Sequence, residues 1–125
     1  MITRIFLALV ALAFFAFGGW SLVDPIGMTS GMDVVVSGAN GAFEMAGIYG
    51  GVSLGAALLN LAGAVSPRMT RPALWFNVAY MGGYWIARPA AWLLHGGPTS
   101  QFYPFMAFEA AVLIGALISL RAISK

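Results

Sequence analysis

Residues 5–23, IFLALVALAFFAFGGWSLV, form a nearly unbroken apolar run closed by Asp24-Pro25. A helix crossing the hydrocarbon layer needs about 20 predominantly apolar residues, and proline cannot continue a helical ladder. The stretch therefore reads as a membrane span over about residues 4–23. The rival reading is a secretory signal peptide, with Arg4 as its basic end and Ala16-Phe17-Gly18 as a small-residue cleavage site. Apolar residues continue past that cut, which favours a retained span.

The same arithmetic extends along the chain. Of 125 residues 61% are hydrophobic and 8% charged, whereas soluble domains carry roughly a quarter charged residues. That leaves room for one all-α membrane domain of four transmembrane helices and no soluble domain beside it. Residues 26–41, interspersed with Gly27, Gly31, Gly38 and Gly41, hold no window long enough to cross and read as a surface loop in the headgroups. Residues 42–65 are the second span. Ser66 to Pro72 is a tight turn, with Pro72 suited to the first position of the next helix. Residues 72–94 are the third span, interrupted at Arg88-Pro89, and residues 103–121 the fourth, with Pro104 tolerated in its first turn. Trp20, Trp92, Phe102 and Tyr103 fall near span ends, where aromatic belts form.

Composition also excludes chemistry. There is no cysteine, hence no disulfide, thiol redox couple, iron–sulfur cluster or thiolate zinc site. The one histidine, His95, supplies neither a bis-imidazole haem nor a three-histidine zinc, so no metal and no cofactor is expected. The net charge of +2 comes from bases scattered at span ends rather than in a stripe that could follow phosphates, so no nucleic-acid partner is expected.

Those bases orient the chain. With four spans, Arg4, Arg68, Arg71, Arg121 and Lys125 fall on one side, while the opposite loops hold Asp24, Asp33 and His95. Basic residues favour the cytoplasmic side, so both termini are expected inside a bacterial cytoplasmic membrane.

Three charges fall where lipid should be. Glu44 stands just inside the second span, Arg88 within the third and Glu109 within the fourth, and a central charge costs about 3 kcal/mol on insertion scales. Counting 1.5 Å per residue, Arg88 lies about 10 Å and Glu109 about 9 Å from the outer end of their helices. An arginine between two carboxylates offers bidentate, charge-assisted hydrogen bonds that offset desolvation, so the three are expected to form one interior cluster. Asn77, Tyr84, Arg88 and His95 recur on one face of the third helix, which should point inward. On the second, Glu44 shares a face with Gly47, Gly51 and Gly55, a small-residue stripe expected to receive a neighbouring helix. Asn60, on the opposite side of that helix, lies at the depth of Asn77, where an interhelical amide bond is expected. The simpler alternatives are that Arg88 snorkels to the headgroups, that Glu44 is an interfacial helix-start acid, that the cluster is a polar clasp fixing register, and that His95 is an exposed turn residue.

In this order and spacing, Asp24-Pro25, Glu44, Tyr49-Gly50-Gly51, Gly82-Gly83, Arg88 and Glu109 resemble an uncharacterised bacterial family of four-helix membrane proteins, a domain of unknown function grouped with the DoxX/DoxD-like proteins. The resemblance implies fold and location, not an activity. In that family an Arg commonly follows the Glu by two positions, and here the position is Ala46. Two carboxylates against one arginine would leave a surplus negative charge, and so one protonated carboxyl.

No catalytic constellation emerges, so the function expected first is a non-enzymatic binding or accessory component, with the bilayer and other membrane subunits or a second copy as partners. A transporter or proton relay through Glu44, Arg88 and Glu109 is the second reading. A quinone-linked or lipid-modifying enzyme, with Tyr84 and His95 as acid and base, is the third.

Overall fold

The computed structural model describes residues 1–124, among which every regular element is helical. Helix α1 covers Ile2–Val23, α2 Pro25–Gly31 and α3 Gly38–Met45. A π-helical segment, Ala46–Val52, joins α3 without a break to α4, Ser53–Val65. Helix α5 runs over Pro67–His95, a 3₁₀ turn over Ser100–Phe102, and α6 over Tyr103–Ile123. Three helical stretches, Ile2–Val23, Gly38–Val65 and Ser100–Ile123, are long and apolar enough to cross a membrane. The α5 helix is longer, at 29 residues, but carries Arg68, Arg71 and Arg88 and is not one of the three.

Side-by-side packing of α1 with α4, α4 with α5 and α5 with α6 makes an antiparallel bundle. Its direction is fixed by specific contacts. At the start of α1, Arg4 donates through Nε to the Ala64 carbonyl at 2.5 Å and through Nη2 to that of Val65 at 2.6 Å. These are carbonyls that the end of α4 leaves without intrahelical partners, and a cation there also favours the helix dipole. Near the other end, a methyl group on Gly18 would lie 3.1 Å from the Gly50 carbonyl oxygen, so α1 and the π segment touch backbone to backbone. Phe14 meets Phe108 edge to face at 5.7 Å, and the Phe6 ring lies against Gly115, so α6 runs antiparallel to α1 as well. Arg4, Arg68, Arg71 and Arg121 consequently share one end, called the basic end below.

Two apolar clusters stack along the bundle. One, toward the basic end, joins Leu7, Ala73, Leu74, Ala116 and Leu120; the other joins Val10, Phe14, Ala56, Ala57, Met81 and Val112. Between α4 and α5, Asn60 and Asn77, both fully buried, exchange amide hydrogen bonds: Asn60 Nδ2 donates to Asn77 Oδ1 at 3.1 Å and Asn77 Nδ2 to Asn60 Oδ1 at 2.7 Å. This is the amide pair expected from depth alone. Asn60→Leu strands the Asn77 amide, and a loss of about 1–2 kcal/mol is expected. The Asn60→Leu/Asn77→Leu double variant should lose less than the sum of the singles. Reversible unfolding in mixed micelles checks this; additive losses would deny the coupling.

Several boundaries differ from the sequence reading. The stretch 26–41 is not simply a loop. Asp24 accepts a hydrogen bond from the Gly27 amide at 2.9 Å and so caps α2, which buries Met28 and Thr29, and α3 begins at Gly38. An N-cap followed by Pro25 at the first helical position was a helix signal outweighed by the glycines. The turn before α5 shrinks to Ser66, because Pro67, not Pro72, takes the first helical position. Thr70 Oγ1 then donates to the carbonyls of Gly63 and Ser66, satisfying the end of α4. Arg88-Pro89 does not interrupt α5, which continues through both to His95.

Candidate functional site

Away from the basic end, α5 and α6 are joined by a bidentate ion pair. Arg88 donates through Nε to Glu109 Oε2 at 3.2 Å and through Nη2 to Glu109 Oε1 at 2.5 Å. Residue 109 is 7% exposed, while the Arg88 side chain retains 26% of its surface. Local sequence delivers this. Tyr80, Tyr84 and Arg88 follow one another at four-residue spacing on α5, and so form one stripe. Tyr80 and Tyr84 place their hydroxyls 3.4 Å apart, and the Arg88 guanidinium carbon lies 5.3 Å from the Tyr84 ring centroid. The 3₁₀ turn ahead of α6 carries the Phe102 ring to within 4.7 Å of the same carbon. Arginine is weakly hydrated and planar, which suits it to such aromatic stacking at a partly buried position.

Beside this pair the helices border a half-open cavity of about 330 Å³. Its walls are aromatic: Phe14 and Phe17 of α1, Tyr80 and Tyr84 of α5, and Phe105 and Phe108 of α6. The π segment contributes Tyr49. A π turn admits one extra residue per turn, which shifts the helix face locally. Here Gly50 is buried against α1 while its neighbour Tyr49 lines the cavity and meets Phe17 edge to face at 6.1 Å. Buried Met32, just past α2, and Ser53, the first residue of α4, also line it. Arg88 and Glu109 are the only charges among the lining residues. A second cavity of about 190 Å³, bordered by Trp92, His95 and Met106, lies against the first, and Arg88 and Phe102 line both.

The expected cluster is thus assembled in part. Arg88, Glu109 and Tyr84 come together. Glu44 does not join them: it is exposed on α3 and belongs to no ion pair among the described residues. Its shared face with Gly47, Gly51 and Gly55 is real, but that face looks out of the bundle, and nothing lies within 4 Å of a methyl group built on any of the three glycines. The helix–helix contacts are made by the opposite side, through Gly50, Ala56, Ala57 and Gly63. With Glu44 absent, Arg88 and Glu109 balance one to one, and the surplus negative charge disappears. His95 is exposed at the end of α5, next to Gly96 with φ 85°, and borders only the smaller cavity. No group of three or more His, Asp or Glu placed to hold a metal ion occurs among the described residues.

The profile of a domain of unknown function, DUF4345, matches residues 2–120. The chain belongs to the DUF4345 family. No curated protein and no solved structure matches it. Family membership covers nearly the whole bundle, and with it both cavities, but assigns no chemistry to them.

Sequence reasoning missed Tyr80 and the phenylalanine walls, and it put Tyr49 and Ser53 on the Asn60 side of the second span without giving them a place in the site. The signal was present as Phe102, Phe105 and Phe108 at three-residue spacing immediately ahead of Glu109, and as Phe14 and Phe17 on α1. Aromatics at that spacing are ordinary core, and only their convergence around one ion pair distinguishes them.

Proposed function

We propose that this protein is a four-span membrane protein that binds a small, largely apolar molecule in the aromatic cavity, as a non-enzymatic binding component. The observation that carries the reading is the cavity itself: a half-open, largely apolar space with a few polar groups in its lining, at the lower end of the volumes typical of ligand sites. In a bundle this small, packing to native density would ordinarily fill such a space. The test is direct. Protein purified in lipid nanodiscs should be stabilised against heat by a ring hydrocarbon such as 2-ethylnaphthalene. Ser53→Phe, which directs a ring from α4 into the cavity, should abolish that response while keeping the fold. No stabilisation of the wild type would overturn the reading.

The fourth span in this proposal is α5. Because α4 ends at the basic end and α6 starts at the other, the chain must return between them, and α5 makes that return. From Pro72 to Ala87 α5 carries no charge, and at 1.5 Å per residue its full length exceeds the ~30 Å hydrocarbon layer. The α1 helix belongs to the protein in this reading, since Leu7, Val10 and Phe14 are core residues. The basic end is cytoplasmic and the membrane is the bacterial inner membrane, by the excess of arginine there. Cysteines placed singly in this cysteine-free chain test the topology. Ser30→Cys and Thr99→Cys should react with an impermeant thiol reagent on intact cells, and Thr70→Cys and Ser124→Cys should not. The reverse pattern would sink the orientation.

Kinship with the DoxX/DoxD-like group rests on the sequence features alone and transfers no activity. A proton relay finds less support than binding, because Glu44 lies on the outer surface. Acid–base chemistry between Tyr84 and His95 finds less still, since His95 lines the other cavity.

A further inference from the structure

The chemistry of the wall narrows what the cavity takes, given that it is a binding site as proposed above. We infer that the ligand is an uncharged planar molecule bearing a hydrogen-bond acceptor of the carbonyl type, held with its ring among the phenylalanines and its acceptor at the Arg88 end.

Charge excludes ions of either sign. Arg88 and Glu109 are the only charged side chains in the lining, and they neutralise each other through a two-point contact. A carboxylate or phosphate brought into this site would face Glu109 as well as Arg88 and would leave one negative charge without a partner in a poorly hydrated space. An ammonium would leave one positive charge in the same way. Either arrangement carries the penalty of an uncompensated buried ion, which a neutral ligand escapes.

Donors select for an acceptor. A guanidinium has five N–H bonds, and among the described residues the hydrogen bonds of Arg88 are the two to Glu109. Contacts with the Tyr84 and Phe102 rings use its π face and consume no donor. Three N–H bonds therefore remain on a residue that lines both cavities. Tyr49 and Ser53 add hydroxyls to the same lining, and neither makes a side-chain hydrogen bond among the described residues. No fully buried side-chain oxygen or nitrogen among the described residues lacks a partner, so these two hydroxyls keep accessible surface on residues that line the cavity. Arginine can only donate, and its hydrogen bonds are charge-assisted, so a carbonyl oxygen is the group it rewards most. Phe14, Phe17, Phe105 and Phe108 offer ring faces and edges, which favour a flat partner over a branched chain.

Three probes of similar size separate the terms: 2-acetylnaphthalene, 2-ethylnaphthalene and 2-naphthoate, titrated at pH 8 into full-length protein in nanodiscs, with empty nanodiscs as the partitioning control. The ketone is expected to bind about tenfold more tightly than the hydrocarbon, the size of one hydrogen bond to a charged donor, and the carboxylate more weakly than both. The Arg88→Met/Glu109→Met double variant leaves no unpaired charge, and its melting curve reports whether it is folded. In the folded double variant the ratio of ketone to hydrocarbon affinity should fall from about tenfold to about one. Equal affinity for ketone and hydrocarbon, or preference for the carboxylate, overturns the inference while leaving the cavity a binding site. Failure of all three probes to bind the wild type overturns the binding reading itself. Full ketone preference in the folded double variant would move the acceptor site away from Arg88 and overturn the assignment.

Discussion

Arg88→Met is expected to lower the stability of the folded bundle by about 3–5 kcal/mol, the usual result of removing one partner from a buried ion pair. Glu109 is then left as a carboxylate without a charged partner at 7% exposure, and it carries the desolvation penalty of an unpaired buried ion. Glu109→Gln is expected to cost less, about 1–2 kcal/mol. Gln keeps an oxygen acceptor for the guanidinium, and Arg88, with 26% of its side-chain surface accessible, can extend toward the headgroups. The double replacement Arg88→Met/Glu109→Met removes both charges and fills similar volume, so it should fall within about 1 kcal/mol of wild type. Melting curves in one detergent at one protein concentration make the comparison. Equal and negligible shifts for the two single variants would mean that Arg88 snorkels and that the pair contributes nothing, and the ligand inference built on it would fall too.

Depth along the bundle is legible in the sequence and facing is not. Depth along a helix is nearly a linear function of residue number, so Arg88 opposite Glu109, and Asn60 opposite Asn77, follow from counting once two antiparallel helices are granted. Facing is a different matter. A repeat of 3.6 residues groups Glu44 with Gly47, Gly51 and Gly55 correctly, but which side of the helix meets the bundle depends on neighbours that the repeat does not contain. A stripe of small residues in a membrane span favours close approach of a neighbouring helix, and on that ground Glu44 with its glycines reads as inward. The structure returns Glu44 to the surface, while Gly50 and Gly63, one helix face away, make the contacts. The π segment carries both Tyr49, which lines the cavity, and Gly50, which is buried against α1.

Capping residues near the end of α1 carry two signals at once. Asp24-Pro25 reads as a stop for α1, which it is, and equally as the start of α2, since an aspartate N-cap and a proline at the first position are start signals. The consequence reaches the site, because buried Met32 follows directly on α2 and lines the cavity. The aromatic walls were illegible for another reason. Each phenylalanine has an unremarkable place on its own helix, and the cavity exists only where α1, α5 and α6 leave space between them.

Glycine substitutions separate the two faces of the second long helix. Gly63→Leu is expected to cost about 3 kcal/mol, at the upper end of overpacking penalties. Even a methyl group there would lie 2.6 Å from the Ala73 Cβ, 3.0 Å from Leu7 Cδ1 and 3.2 Å from the Met69 carbonyl oxygen. Ala73 and Met69 belong to α5, whose first turn is tied to Gly63 by the 2.8 Å hydrogen bond from Thr70 Oγ1, so the hairpin has little room to give. Opening it would also loosen the Asn60–Asn77 pair one turn away. Gly51→Ala and Gly55→Ala meet nothing within 4 Å and should be neutral or stabilising by up to about 1 kcal/mol, the difference in helix propensity between the two residues. Gly63→Ala lies between, because the same propensity gain offsets part of its clash. Thermal melts of the four variants give the ranking. Losses at Gly51 and Gly55 as large as those at Gly63 would place another helix against the open stripe, and the bundle would then have to be read as one unit of a larger assembly rather than as a self-sufficient fold.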